Sequence, residues 1–140
     1  MPESNVAPGC PIARGVGTVG DAWSMLILRD AHVGVTRFDQ FRKNLGIAPT
    51  MLTKRLAALT QAGLLEKRLY SERPPREEYV LTPAGEDFLP VLLLFGEWAE
   101  LGEGMLRLEV RACSVCRTVD LRVPGPEGEP RHIGLDTQLR

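Results

Sequence analysis

The segment of residues 36–82 limits the fold of this chain more than any other part of it. It begins with a short amphipathic pattern that predicts a helix. Thr36 can cap the N-terminus of that helix, with Asp39 three residues on completing a capping-box pattern. Gly46 is a plausible stop, because glycine enters the left-handed region without a steric cost. The apolar residues that share one face of this helix are Phe38, Phe41 and Leu45.

A second helix follows after a tight turn. Pro49 fits its first position, where a missing N–H is not needed, and Gly63 ends it. Its outward face carries Thr50, Lys54 and Ala57, with Met51 and Thr53 on the flanks. Such a short polar face is what a helix needs to enter a DNA major groove. The stripe that faces inward consists of Leu52, Leu56 and Leu59.

A β-hairpin completes the segment. Residues 65–70 and 78–81 alternate between two faces, as strands do. Between them we predict a loop over Ser71–Arg76, because prolines are excluded from central strands. The loop carries Arg73 and Arg76, placed to reach a phosphate or the minor groove. Helix, turn, helix and hairpin in this order predict a winged helix-turn-helix, an α+β fold that is mostly α.

Charge along the chain is unevenly distributed. The 140 residues have a formal net charge of −1, which by itself argues against a nucleic-acid partner. The segment from Arg37 to Arg76, however, contains nine basic and three acidic residues, a net charge of +6. The segment from Glu77 to Val110 contains one basic and eight acidic residues, a net charge of −7. This asymmetry places a phosphate-facing surface on the first of these two segments.

Two further helices are predicted outside this segment. Residues 23–28 are apolar nearly all round, which favours a buried helix with Trp23 in the core over a role of Trp23 in an effector pocket. After Thr82-Pro83 we predict one long helix to about Gly102, bent at Pro90. It carries two apolar stripes, one for the domain's own core and one for a second copy of the chain. The first stripe is Phe88, Leu92, Phe95 and Ala99, and the second is Val91, Leu94, Trp98 and Leu101.

Several of these segments together resemble the HxlR-type branch of bacterial winged-helix transcriptional regulators. The resemblance covers about Cys10 to Ala99. It rests on C-P-I-A from Cys10, W-S-M-L-I-L-R-D from Trp23, Arg37-Phe38, A-P-T-M-L-T-K-R-L from Ala48, A-G-L-L-E-K-R from Ala62, Y-S-E-R-P-P-R-E-E-Y-V-L-T-P-A-G from Tyr70 and L-P-V-L-L-L-F-G-E-W from Leu89.

The resemblance implies a homodimer that binds double-stranded operator DNA with one recognition helix per half-site. Two departures stand out: Ala48 replaces a frequent serine cap, and Asp21-Ala22 replaces a more usual glycine–lysine pair. We expect DNA contacts from Arg37, Thr50, Met51, Thr53, Lys54, Arg55, Arg68, Arg73 and Arg76. We expect a dimer interface that includes Ile12, Val16, Val19, Val91, Leu94 and Trp98.

The three cysteines leave alternatives open. Cys10, just before Pro11, either packs as a small residue or senses oxidants or electrophiles, since a thiol at a helix N-terminus reacts more readily. Some HxlR-type regulators, which this sequence resembles, use a cysteine at this position as a sensor. Cys113 and Cys116 form half a zinc site, with His132 as the nearest completing ligand. Free thiols, a local disulfide or the turn of a β-hairpin are the alternatives for this pair.

The remaining expectations concern organisation and function class. We predict a flexible N-terminus over residues 1–9, a winged-helix domain over residues 10–104 and an extension over residues 105–140. The segment Pro124–Pro130 should be flexible. No apolar run or signal pattern indicates a membrane or export, so a cytoplasmic protein is expected. A C-x-x-C oxidoreductase is disfavoured because the motif is followed by a strand-like run, and no cofactor is expected. A winged helix used only for protein contacts is the remaining alternative.

Overall fold

The computed structural model describes residues 9–100 together with the backbone of residues 109–112, 119–124 and 130–132. The chain divides into two compact units, Met1–Asp87 and Phe88–Arg140. The first unit contains four helices, a hairpin and a short fifth helix. In chain order they are α1 (Pro11–Val19), α2 (Ser24–His32), α3 (Phe38–Leu45), α4 (Pro49–Gln61), β1 (Leu65–Glu72), β2 (Pro75–Leu81) and α5 (Pro83–Glu86).

The core of the first unit confirms the predicted inward stripes. Leu52, Leu56 and Leu59 of α4 are fully buried, as is Phe41 of α3. Ile27 and Leu28 of α2 are buried with them, whereas Trp23 at the start of α2 is only half-buried. Because these apolar faces meet, the opposite face of α4 is left exposed.

The local signals at the α3–α4 turn are confirmed, with one exception at the start of α3. Gly46 has a φ of 64° and Gly63 a φ of 78°, both in the left-handed region. Pro49 is the first residue of α4. The predicted cap at Thr36 is wrong, because the N-cap is Arg37, whose N–H donates to the Gln40 side chain at 3.2 Å.

The physical reason for that difference is that Thr36 is occupied elsewhere. Its carbonyl oxygen accepts a hydrogen bond from the backbone N–H of Tyr79 in β2, at 2.7 Å. Thr36 therefore lies in an extended segment beside the hairpin, and α3 begins two residues later. A contact between residues 43 positions apart in the chain overrides a local capping pattern.

The hairpin has longer strands than predicted. β1 and β2 pair antiparallel from Leu65 opposite Leu81 to Glu72 opposite Pro75, so only Arg73 and Pro74 form the turn. The predicted loop over Ser71–Arg76 is wrong in extent, because Pro75 opens β2, a position where a missing donor is tolerated. The register shifts between Leu69 and Ser71. Residues 65–70 and 78–81 do lie in strands, but neither face of β1 is buried along its length, since Leu65 alone is buried there.

Thr82 ties the end of the hairpin to the turn that precedes it. Its backbone N–H donates to the carbonyl of Leu64 at 3.1 Å, and its hydroxyl donates to the carbonyl of Gly63. The same hydroxyl accepts the N–H of Gly85 at 3.1 Å and so caps α5. Gly85 is buried so close to Leu64 that a Cβ there would overlap with the Leu64 carbonyl oxygen. This contact requires glycine.

The second unit contains α6 (Leu89–Glu100) and a three-stranded antiparallel sheet. Its strands are β3 (Glu109–Ala112), β4 (Val119–Pro124) and β5 (Pro130–His132), in the order β3-β4-β5. Instead of one long bent helix from residue 83, the chain forms α5 and α6 with a break at Asp87 and Phe88. Pro90 has no N–H to donate and lies in the first turn of α6, where it is tolerated.

The predicted core stripe of α6 does not match its burial. Leu93 and Glu97 are buried, and neither belonged to a predicted stripe. Phe95 and Ala99, which were expected in the core, are exposed, so that expectation was wrong. Val91, Phe95 and Trp98 are 48%, 52% and 61% exposed, and the rings of Phe95 and Trp98 contact each other at a tilt, with centroids 5.6 Å apart. These three residues form the exposed apolar face of α6.

Three predictions fall partly or wholly outside the described residues. They are the flexible N-terminus, which is described only at Gly9, the role of Cys113 and Cys116, and the flexibility of the segment between Pro124 and Pro130. Pro124 ends β4 and Pro130 begins β5. β3 and β4 flank the C-S-V-C segment and pair with each other, and β5 was not predicted.

Candidate nucleic-acid interface

The outward face of α4 is a polar surface held on a rigid support. Its residues Thr50, Met51, Thr53 and Lys54 are exposed, while Leu52 and Leu56 anchor the opposite face in the core. The Thr53 hydroxyl donates to the carbonyl of Pro49 at 2.9 Å. Within the described part of the chain, Lys54 forms no ion pair. Its ammonium group is therefore available to a binding partner.

Arg55, the neighbour of Lys54, is placed differently. Its Nη1 lies 3.3 Å from Oδ2 of Asp21, and its side chain is 31% exposed. Its Nε is buried and has no hydrogen-bond partner among the described residues. The predicted phosphate contact of Arg55 stays a prediction, and its guanidinium is engaged by Asp21 in the free chain.

Asp21 is itself held at the N-terminus of α2. Its Oδ1 accepts the backbone N–H groups of Trp23 and Ser24, each at 2.9 Å, and its Oδ2 accepts the Ser24 hydroxyl. Burial opposes ionisation of this carboxyl. The hydrogen bonds from Ser24 and Trp23, together with the charge of Arg55, outweigh burial and hold the pKa of Asp21 below its ordinary value.

The hairpin forms the second part of the candidate interface, and ion pairs join its two strands about midway along their length. Arg68 Nε donates to Oε1 of Glu78 at 2.8 Å, and Lys67 Nζ lies 2.8 Å from Oε2 of Glu77. The hydrogen bond from Arg68, followed by one from Thr36, keeps the pKa of Glu78 below its ordinary value. These pairs neutralise part of the positive charge of the hairpin.

The far end of the hairpin carries basic residues without such pairs. Arg73 in the turn and Arg76 in β2 are both exposed. Neither takes part in an ion pair with another described residue. The positive charge available to a partner is therefore concentrated at this tip.

Arg37 and Tyr70 connect the start of α3 with the hairpin. The Arg37 guanidinium lies 4.6 Å from the centroid of the Tyr70 ring. Tyr70 is the extra residue where the register of the hairpin shifts, and such a bulge re-aims a side chain. The sequence had not indicated Tyr70. Beside this pair lies an open cleft of about 340 Å³, lined by Arg37, Phe38, Asp39, Gln40, Tyr70, Arg76 and Glu77.

The predicted dimer residues fall on both units. On α1, Ile12 and Val16 are 78% and 60% exposed, whereas Val19 is buried. On α6, Val91 and Trp98 are exposed and Leu94 is half-buried. Each helix thus presents exposed apolar side chains that the unit containing it does not cover.

Cys10 is the N-cap of α1 and is half-buried, with its sulfur in the free thiol state. Arg14 lies one turn on, as predicted, but its Nη1 donates to the carbonyl of Gly9 at 3.2 Å. The backbone N–H of Arg14 donates to the carbonyl of Cys10. The thiol therefore sits on the N-terminal end of the helix that carries Ile12 and Val16.

Among the described residues, no group of three or more His, Cys, Asp or Glu side chains could hold a metal ion. Cys113 and Cys116 lie outside those residues. In the same part of the chain, no helix is both long and apolar enough to cross a lipid bilayer.

A two-stranded wing beside a helix-turn-helix with an exposed recognition face defines a winged helix-turn-helix protein. A family model described as HxlR-like helix-turn-helix matches residues 18–104. The chain therefore belongs to the HxlR-like helix-turn-helix family, and relatives of it are named as transcriptional regulators.

Individual relatives agree with this assignment. An uncharacterised HTH-type transcriptional regulator of Mycobacterium tuberculosis is 40% identical over 92 residues, which are 66% of this chain and 58% of the relative. A structure of a candidate transcription factor from Pseudomonas aeruginosa is similar with a TM-score of 0.54 and 44% identity, covering 91% of this chain and 88% of the other. The redox regulator HypR in its reduced form has a TM-score of 0.61 and 30% identity, covering 65% and 91%.

Proposed function

We propose that this protein is a sequence-specific DNA-binding transcriptional regulator, most simply a repressor. The single observation that carries the proposal is the exposed face of α4, with Lys54 unpaired among the described residues and Leu52 and Leu56 fixing the helix from behind. A helix supported in this way can enter a major groove without rearrangement. Thr50, Met51, Thr53 and Lys54 would read base edges there.

The wing and the start of α3 would bind the DNA backbone. Arg73 and Arg76 at the tip form no ion pair with another described residue, and Arg37 is held over Tyr70. Arg68 donates to Glu78 through Nε, but its side chain is 57% exposed, so the rest of its guanidinium would contact a phosphate. Contacts of this kind set the register of the protein on DNA and make its affinity depend on salt.

The functional unit would be a homodimer that binds an inverted repeat. Ile12 and Val16 on α1, and Val91 and Trp98 on α6, are large apolar side chains with about half or more of their surface exposed. A second copy of the chain is the commonest partner for such faces. A twofold dimer would set two α4 helices into major grooves about 34–36 Å apart. A regulator of this kind would act in the cytoplasm, where bacterial DNA lies.

A second candidate function is a winged helix that contacts proteins only. The pairs Lys67–Glu77 and Arg68–Glu78 favour it, because they neutralise charge on the wing that DNA would otherwise attract. Retention on heparin under a salt gradient separates the two. A DNA-binding protein elutes late, and elution at low salt would favour the protein-contact module.

Regulation by oxidants or electrophiles would act through Cys10. Cys10 is the N-cap residue of α1, and α1 carries Ile12 and Val16, so an adduct on its thiol would lie beside the proposed dimer contact. The likeness to HypR, which is described as a redox regulator, supports this. The test compares operator binding of wild type and Cys10→Ser after diamide treatment. Equal responses of the two proteins would remove Cys10 as the sensor.

A further inference from the structure

Asp21 and Arg55 join the N-terminus of α2 to the middle of the recognition helix. Both side chains are partly shielded, with 26% and 31% of their surfaces exposed. Three hydrogen bonds from Trp23 and Ser24 fix the Asp21 carboxylate in place. Asp21 therefore offers Arg55 a pre-oriented anion rather than a mobile one.

Arg55 differs from Lys54 although the two are adjacent on α4. Lys54 extends into solvent, whereas Arg55 is turned so that its Nε is buried and its Nη1 meets Asp21. The Nε of Arg55 is buried and has no hydrogen-bond partner among the described residues, and the carboxylate of Asp21 is the charged group that its guanidinium meets there. A DNA phosphate would have to compete with that carboxylate for the same group.

We propose that Asp21 is a positioning residue that holds Arg55 in an intramolecular ion pair and thereby withholds one phosphate contact from the recognition helix. The inference rests on the proposed DNA-binding function. Its consequence is a lower affinity for DNA of any sequence, while the contacts of Thr50 and Lys54 to bases are unchanged. Because a phosphate contact carries no sequence information, operator and non-specific DNA would be weakened by the same factor, and the protein would leave both more rapidly.

The test is Asp21→Asn in the full chain. Asparagine keeps an oxygen that can accept the N–H groups of Trp23 and Ser24, so α2 stays capped, but it removes the negative charge. Binding to a duplex of random sequence is measured by fluorescence anisotropy between about 50 and 200 mM salt. We expect binding about fivefold tighter near 0.1 M salt and a slope of log affinity against log salt steeper by about one.

Two further variants identify the cause. In an Arg55→Ala background, Asp21→Asn should change neither the slope nor the affinity appreciably. Asp87→Asn removes the same charge at an exposed position after α5, from a residue that forms no ion pair with Arg55, and should leave the slope as in wild type. Asp21→Ser, which also retains a cap, replaces Asp21→Asn if the latter does not fold.

An unchanged or shallower slope in Asp21→Asn would overturn the inference. An equally large gain in DNA affinity when Asp21→Asn is added to Arg55→Ala would overturn it as well. The first result would mean that Arg55 stays engaged, and the second that the charge of Asp21 acts on DNA directly. Failure of the proposed function itself is distinguishable, because wild type would then show no salt-dependent binding to DNA.

Discussion

Arg37, the residue before α3, stacks on Tyr70 of the wing, with its guanidinium 4.6 Å from the ring centroid. The pair connects the helix-turn-helix to the hairpin through side chains that are both exposed. A guanidinium over an aromatic face keeps its edge free for hydrogen bonds, so the stack can orient Arg37 toward a phosphate without consuming its donors.

Tyr70→Ala is therefore expected to weaken DNA binding, although Tyr70 itself needs no contact with DNA. An exposed cation–π pair contributes about 0.5–1 kcal/mol, which corresponds to a two- to fivefold loss of affinity. The measurement is anisotropy with a labelled operator. Tyr70→Phe is the matched control, since it keeps the ring, and it should bind as wild type does. If Tyr70→Phe lost as much as Tyr70→Ala, the hydroxyl and not the stack would be responsible.

The wing tip should contribute binding that does not depend on sequence. Replacing both Arg73 and Arg76 with alanine should flatten the slope of log affinity against log salt by up to about two, because each arginine releases about one counterion. Operator and random DNA should be affected alike. A slope equal to that of wild type would show that the wing tip does not touch DNA.

Gly85 is expected to be essential for stability because its Cα lies against the backbone of Leu64. In Gly85→Ala, the added methyl would overlap with a carbonyl oxygen that cannot rotate away, and we expect a loss of about 1–3 kcal/mol in the free energy of unfolding. Urea denaturation followed by circular dichroism measures it. Gly17→Ala, where the added methyl meets nothing within 4 Å, is the control and should be neutral or slightly stabilising. Equal stability of the two variants would contradict the tight contact.

The stability of the protein should fall in acid partly through Asp21. The pKa of this carboxyl is lowered in the folded protein from its ordinary value of 3.8, so the unfolded state binds the proton more readily. Its contribution is present above about pH 4 and disappears as pH falls through the folded value. Thermal unfolding from pH 6 to pH 2.5 should show a smaller acid loss in Asp21→Asn than in wild type. Parallel curves would show that Asp21 is not stabilised in the folded state.

The parts of the fold that the sequence predicted correctly depend on local stereochemistry. Gly46, Pro49 and Gly63 set the ends of α3 and α4, because backbone conformation at these positions is determined by the residue itself. The burial of the leucine stripe of α4 was also predicted correctly, because apolar and polar residues occupy separate faces of the helix.

The remaining features depend on contacts between distant residues. Whether Thr36 caps a helix depends on β2, and the bulge at Tyr70 depends on strand register, neither of which a local pattern contains. α6 is apolar on nearly every side, so its buried face could not be chosen from periodicity. The Asp21–Arg55 pair joins a residue in the loop before α2 to a residue of α4 that lies 34 positions later in the chain. The sequence showed Asp21 only as a departure from the resembling family.

The central claim is that α4 reads a specific DNA sequence as part of a dimer. Lys54 is the exposed cation in the middle of its outward face, and a good bidentate base contact is worth about 1–3 kcal/mol of discrimination. The most direct measurement is a footprint on the intergenic DNA upstream of the protein's own gene, with wild type and Lys54→Ala at equal concentration. We expect two protected half-sites of an inverted repeat, one helical turn apart between centres, which are lost or become indistinct in Lys54→Ala. Uniform protection without half-sites, or the same footprint in both proteins, would contradict it.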